Sequence, residues 1–336
     1  MKIRSSVATM TLILATAVMA PATASTPTKI CIAYDTGGLG DHSFNDATLA
    51  GVKKAQSKFS ISLEVVVTDG TPADRIKRLR TLASKNCASV IAVGSEYKEA
   101  VKLVSKEQLS SSFPTTQFAI IGDASIPALN VSSITFADVE GAFLAGYSAA
   151  LTTKTGKVAM ITTPSTADNY ENGFIAGVAA SKKKVRTFVK YTATELDISA
   201  AALIAFGIDV IYSANSGSAD GIFNAIVKAN TAKVRKKNAS DVYLIITEPD
   251  LYLSVTTATS KYLLASVVKR VDIAVEDLIY SAVNDGQISD VLDPALGIYG
   301  HNYTISDKGI EIVIKSKSLA AQAASINAAA SAAYAH

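Results

Sequence analysis

The sequence predicts an α/β protein of two doubly wound lobes, each built on a parallel sheet. Three observations carry that prediction. From Lys29 onward, apolar runs rich in Val and Ile alternate with helical patterns, as expected of parallel strands covered on both faces. The alternation completes one unit near Phe136 and starts again at Gly141. The ~310 residues after the amino-terminal segment also exceed one compact core, so two lobes are the default.

Residues 1–24 read as a secretory signal peptide. Lys2 and Arg4 give a basic start, 7–20 is apolar, and Ala22-Thr23-Ala24 is a small-x-small cleavage pattern. The apolar run is shorter than the ~20 residues that cross a bilayer. The mature chain is therefore expected to be exported, periplasmic or extracellular and associated with the cell surface. No Leu-x-x-Cys box stands near the cleavage pattern, because the first cysteine, Cys31, falls inside a strand pattern.

In the first unit, strands are expected at 30–35, 62–68, 89–94, 117–122 and 131–136, with helices at 47–58, 73–85 and 97–109. The second unit has helices at 141–151, 169–182, 196–206 and 219–229. Its strands are expected at 157–162, 185–191, 209–213 and 242–247. A strand at 262–268, a helix at 272–283, a strand at 298–304 and a closing helix near 307–315 follow. These extra segments suggest a chain that crosses between lobes more than once. Lobe I is expected over 28–136 plus about 260–290, and lobe II over 137–259 plus about 291–317. The Ala- and Ser-rich stretch 318–336 reads as a tail helix.

With Lys2 and Arg4 removed, 30 basic residues face 29 acidic ones, a net charge of +1. That balance gives no electrostatic reason to expect nucleic acid or an acidic membrane as partner. Two basic clusters, Lys182-Lys183-Lys184 with Arg186 and Lys233-Arg235-Lys236-Lys237, are short and read as solvated helix ends. Cys31 and Cys87 are the only cysteines, each at or just before the start of an apolar strand. The first and third strands are neighbours in a doubly wound sheet, so a disulfide is expected, with two buried free thiols as the alternative. His42, His301 and His336 stand far apart, and no metal spacing or cofactor motif is present.

The stretch Asp35-Thr36-Gly37-Gly38-Leu39-Gly40-Asp41-His42-Ser43-Phe44-Asn45-Asp46 joins the first strand to the first helix. Such strand-to-helix crevices are where open α/β sheets bind ligands. It matches neither of the glycine-rich phosphate motifs. It supplies a carboxylate (Asp35), an amide (Asn45) and an aromatic face (Phe44), a set suited to a neutral, flat, hydrogen-bonding ligand. Either Asp41 or Ser43 can cap the helix that follows. Other expected strands also end in polar or aromatic residues: Asp123 after Gly122, Tyr212 ahead of Ser216-Gly217-Ser218, Asp250 after Glu248-Pro249, and Lys269 before Arg270. Their repetition points to a cleft lined by the carboxyl ends of strands. No Gly-x-Ser-x-Gly elbow, Ser-His-Asp set or Cys/His pair is placed for catalysis, and the chain is not expected to be an enzyme.

Asp35 to Asn45 resembles the Asp-x-Gly-Gly-x-x-Asp-x-Ser-Phe-Asn signature of the basic membrane protein (PnrA-like) family, nucleoside-binding proteins of ABC importers. Further matches are Phe143-Leu144-Ala145-Gly146, Gly173-Phe174 with Ala176-Gly177, and Ser266-Val267-Val268-Lys269-Arg270-Val271-Asp272. The resemblance spans Lys29 to about Ile310. It implies a type I periplasmic-binding-protein fold, with two lobes joined by crossing strands and a ligand in the cleft. It also implies that Phe44 stacks on a purine, Asn45 and Asp123 read the base, and Asp250 and Lys269 hold the ribose. Asp35 would orient the loop or the sugar, and Tyr212, with the Gly217 loop, would close the other side. Where the family has Asp-x-Asp-Gln, Thr247-Glu248-Pro249-Asp250 stands here.

The expected function is capture of a purine nucleoside (inosine, guanosine or adenosine) by a monomer that delivers it to an ABC permease and its ATPase. The rivals are a binding protein for a sugar or other small polyol, a secreted nucleoside hydrolase, and a surface receptor-binding protein.

Overall fold

Lobe I grows from β1 (Thr28–Tyr34), whose Ile30, Cys31, Ile32 and Ala33 are fully buried. The computed structural model describes residues 26–110, 116–164, 167–214, 219–233, 240–247 and 256–334. Helix α1 (Phe44–Gln56) follows, then β2 (Ile61–Val67) and α2 (Pro72–Ala83). The start of α2 is written locally: Thr71 accepts from the Asp74 amide, and Pro72 opens the first turn. Then come β3 (Ser89–Val93), α3 (Lys98–Leu109), β4 (Gln117–Ile121) and β5 (Val131–Phe136). The expected disulfide is formed: Cys31 on β1 and Cys87 just before β3 are bonded, and β1 and β3 are parallel neighbours.

The chain then enters lobe II through α4 (Asp138–Thr152). It continues through β6 (Lys157–Thr162), α5 (Ala167–Ala180), β7 (Arg186–Tyr191), α6 (Leu196–Ala205) and β8 (Val210–Ser213). Next are α7 (Asp220–Lys233), β9 (Tyr243–Thr247), the short α8 (Thr257–Ser260) and β10 (Leu263–Lys269). Helix α9 (Val271–Val283) returns to lobe I and packs on α1. The hairpin β11 (Asp290–Asp293) and β12 (Ile298–Tyr303) adds to the lobe I sheet. Finally β13 (Ile310–Ile314) rejoins lobe II, followed by α10 (Lys317–Ala320) and α11 (Ala323–Ala333).

The lobe I sheet has the order β11-β12-β5-β4-β3-β1-β2 and the lobe II sheet β13-β10-β9-β8-β6-β7. Both are parallel except at one edge, where β11 and β13 run antiparallel to their neighbours. Two expectations are corrected here. The closing helix near 307–315 is a strand, because the β-branched run Ile310-Glu311-Ile312-Val313-Ile314 pairs with β10. The lobe boundaries also move: β10 lies in the lobe II sheet and β11 and β12 in that of lobe I, so the crossings fall at Ala137, at Arg270 and within 304–309.

Backbone hydrogen bonds tie the three crossings together. The Ala137 amide donates to the Tyr303 carbonyl at 2.8 Å, and the Arg270 amide donates to Gly309 at 2.8 Å. The buried Glu140 accepts from the Ile305 amide at 2.7 Å. The glycines in the family-like segments have a packing reason. A Cβ on Gly146 would stand 2.1 Å from the Phe174 carbonyl, and one on Gly177 would stand 2.1 Å from that of Phe143. Helices α4 and α5 therefore touch backbone to backbone. The tail helix docks on α4 and buries Ile326 and Ala330 completely.

Candidate functional site

The loop after β1 is built from within. Gly37, Gly38 and Gly40 all have positive φ, the region open to glycine, and let the chain turn back over the strand end. Asp41 settles the capping question: its carboxylate accepts from the amides of Ser43, Asn45 and Asp46 at 2.9–3.1 Å. Ser43 occupies the cap position but contributes no side-chain bond. Asp46 accepts from the Gly40 and His42 amides. Asn45 is buried, takes the Asp35 amide on Oδ1 at 3.1 Å and donates Nδ2 to the Gly38 carbonyl at 2.9 Å. Both ends of its amide therefore clamp the loop.

Asp35 is held by the largely buried Arg75, whose Nη2 lies 2.9 Å from Oδ1 and whose Nη1 donates to Gly70. Arg75 in turn lies over the Tyr97 ring, and the Tyr97 hydroxyl donates to the Tyr34 carbonyl at 2.9 Å. Burial, reinforced by the Asp35 charge, pushes the Tyr97 phenol well up and keeps it a donor.

The β1 loop, braced in this way from behind, forms one wall of a cavity of about 440 Å³ between the lobes, within the usual range for small-molecule sites. Lobe I contributes Asp35, Asp41, Ser43, Phe44, Asn45, Ser95, Glu96 and Gly122. The half-buried Phe44 ring lies against Gly122 and is tilted toward Phe136 at 6.4 Å. Across the cavity stand Asp138, Tyr170, Ala214, Thr247 and Lys269. Lys269 Nζ is 2.9 Å from Asp138 Oδ1, which also accepts from the Tyr170 hydroxyl at 2.9 Å. The same ammonium lies 6.0 Å from the centre of the Phe44 ring. Burial raises the Tyr170 phenol far above its ordinary range, with Lys269 pulling the other way.

Of the residues singled out in the sequence, the structure brings Asp35, Phe44, Asn45 and Lys269 together. Asp123 does not line the cavity; its Oδ1 accepts from the Ser125 amide and hydroxyl at 2.8 and 2.6 Å, closing its own turn. Tyr212 is corrected. It is fully buried, stacked on Phe174 at 5.4 Å, and its hydroxyl pairs with Thr247 Oγ1. It props a cavity residue from behind instead of offering a ligand its face. Gly217 and Asp250 lie outside the described residues.

Sequence reasoning misses Asp138 and Tyr170. Asp138 stands two residues after the end of β5, the same strand-end signature, but starting the helix at 141 places it in a connection. Tyr170 lies within a helical pattern and carries no local mark. Among the described residues no cluster of His, Cys, Asp and Glu could hold a metal ion. None of their helices is long and apolar enough to cross a membrane.

Two mostly parallel α/β lobes, three crossings and a polar cavity between them are the architecture of the type I periplasmic-binding-protein fold. The chain belongs to the PnrA-like family of ABC transporter substrate-binding proteins, whose model matches residues 29–328. It is 33% identical over 269 residues to a CD4+ T-cell-stimulating antigen of Listeria monocytogenes, covering 74% of this chain and 72% of that one. It is 26% identical to the ABC transporter nucleoside-binding protein BmpA of Lactococcus lactis, covering 75% and 74%. A solute-binding protein of an ABC transporter system from Aeropyrum pernix superposes with a TM-score of 0.63 at 20% identity, over 85% of this chain and 76% of that one, a likeness of fold.

Proposed function

We propose that the protein captures a purine nucleoside between its lobes and delivers it to an ABC permease. One observation supports this most: the Phe44 ring and the Asp138–Lys269–Tyr170 group face the same cavity from different lobes. A nucleoside has a flat apolar end and a hydroxyl-rich end. An aromatic ring gives the base area and orientation. A carboxylate and an ammonium accept from and donate to ribose hydroxyls, so ligands lacking them leave polar groups unpaired. Asp35, Asp41, Glu96 and Asp138 put acid into the lining, which disfavours a phosphorylated ligand. The Lactococcus relative, named as a nucleoside-binding protein, agrees with this reading. Hinged closure about the three crossings would bring the two walls onto the ligand and present a closed form to the permease.

Calorimetric titration of ligand-stripped protein with inosine, guanosine, adenosine, cytidine and ribose tests it. Tight binding of a purine nucleoside with silence from ribose is expected. Binding of ribose alone, or silence from every nucleoside, overturns it.

A further inference from the structure

The near-neutral net charge hides a sharp asymmetry. At the end of lobe II remote from the cleft, three turns meet where β6 and β7 begin. Lys157 on β6 is in register with Arg186 on β7, and the Arg186 amide donates to the Gly156 carbonyl. Lys183 Nζ donates to the Leu151 carbonyl, and Lys184 lies against Gly156. With Lys154 and Lys182 this makes six cations on one surface, and all but the half-exposed Lys157 are exposed.

None of the six forms an ion pair with a carboxylate among the described residues. Lys157 Nζ donates to the Phe206 carbonyl and sits 4.5 Å over that ring, while Arg186 lies over Phe188. The nearest buried acid, Asp209, is engaged: it accepts from the Thr153 hydroxyl and the amides of Lys154 and Thr155. In lobe I the described cations divide evenly. Lys54, Lys58, Arg75, Arg78, Arg80 and Lys85 each have a carboxylate partner. Lys29, Lys53, Lys77, Lys98, Lys102 and Lys106 form no ion pair with a described carboxylate, but they are spread over β1, α1, α2 and α3. Beside Lys157, Phe206 is 54% exposed and is braced edge-on by Phe188 at 5.2 Å.

We propose that this pole of lobe II docks on an anionic lipid bilayer, its six cations against headgroup phosphates and Phe206 at the interface. Clustered cations beside an exposed aromatic are the pattern of peripheral membrane attachment. Five of the six are lysines, compact charges that suit a field of mobile headgroups and lack arginine's fixed bidentate geometry. Lys157 also covers one face of Phe206, which removes that face from stacking on a nucleic-acid base. The cleft lies at the other ends of the same strands, roughly 20 Å away for six extended residues, and stays open.

Vesicle flotation of the mature chain tests the proposal without reference to its ligand. Binding to phosphatidylglycerol-containing vesicles is expected at low salt, with loss at high salt and none to pure phosphatidylcholine. The triple variant Lys182→Gln, Lys183→Gln, Lys184→Gln should reduce partitioning on the order of 10- to 100-fold. Phe206→Ser should reduce it about 3- to 10-fold. The same charge change on α3 (Lys98→Gln, Lys102→Gln, Lys106→Gln) should leave it unaltered. Thermal melts establish that each variant is folded. Absence of binding to anionic vesicles, or equal loss in the α3 control, overturns the proposal. Equal affinity for a short DNA duplex moves the pole to polyanions in general and overturns the lipid assignment. Nucleoside titration of the Lys182–Lys184 variant should match the parent protein, so this test and that of the ligand fail independently.

Discussion

Lys269, the last residue of β10, and Asp138, the first of α4, form a 2.9 Å ion pair that joins two of the three crossings at the cleft. The Tyr170 hydroxyl donates to the same carboxylate oxygen, so the pair has a fixed geometry before any ligand arrives. Removing the ammonium leaves Asp138, only 26% exposed at its side chain, with one neutral donor. Lys269→Met should therefore cost about 1–2 kcal/mol of stability in urea unfolding. It should also weaken nucleoside binding at least about tenfold. In a double-mutant cycle with Asp138→Asn, the second substitution should add little to the first. Full additivity would mean that the two residues act separately.

Phe44 and Tyr212 should respond in opposite ways. Phe44→Ala should weaken nucleoside binding by about 1–3 kcal/mol with little loss of stability, since the ring is half-buried beside the cavity. Tyr212→Phe keeps the stack on Phe174 and loses only the hydroxyl contact to Thr247. It should cost about 1 kcal/mol of stability and leave affinity nearly unchanged. Titration and thermal unfolding of the two variants separate a ligand face from a prop.

That contrast marks what the sequence can and cannot reveal. The β1 loop is legible because its glycines, carboxylates, ring and amide lie within a dozen residues, and local chemistry fixes their arrangement. Asn45 is legible as a site residue, yet its clamping of Gly38 and Asp35 is a matter of distance alone. A tyrosine at a strand end reads the same whether it faces a cleft or a neighbouring helix, and only Phe174 decides for Tyr212. Asp138, Tyr170 and Lys269 come from three elements spread over more than a hundred residues, so their meeting is a property of the crossings. The strand β13 is missed because a five-residue run of Ile and Val broken by one Glu is ambiguous until its partner β10 is known.

The Cys31–Cys87 bond closes a segment separated by 56 residues within the lobe I core, and both residues are buried. Chain entropy assigns such a loop about 4 kcal/mol. Reduction, or the paired change Cys31→Ala with Cys87→Ala, should lower the denaturant midpoint accordingly. Nucleoside affinity at ambient temperature should persist, because neither sulfur approaches the cavity lining. An unchanged midpoint would show that the reduced chain is already constrained.

Asp272 predicts where the protein yields to acid. Its carboxylate accepts from Arg270 Nε and Nη2 at 2.8 Å each and pairs with Lys54 of α1, while Arg270 also reaches Glu311 of β13. One acid thereby holds a lobe I helix, a crossing and, through Arg270, a lobe II strand. Burial alone would raise its pKa, but the Arg270 and Lys54 donors outweigh that and hold it at about 2, below the ordinary 3.8. A folded-state pKa below the unfolded one contributes stability that is present above the unfolded value. That stability is lost as pH falls through the folded value, so the window runs from about pH 4 down to about pH 2. The displacement corresponds to roughly 2 kcal/mol at neutral pH. Asp272→Asn should lower stability at neutral pH by about that amount. The gap between variant and parent should shrink steadily through the window and close near its lower end. Urea unfolding of both proteins across that range is the check, and a gap that does not change with pH would place the acid-sensitive contact elsewhere.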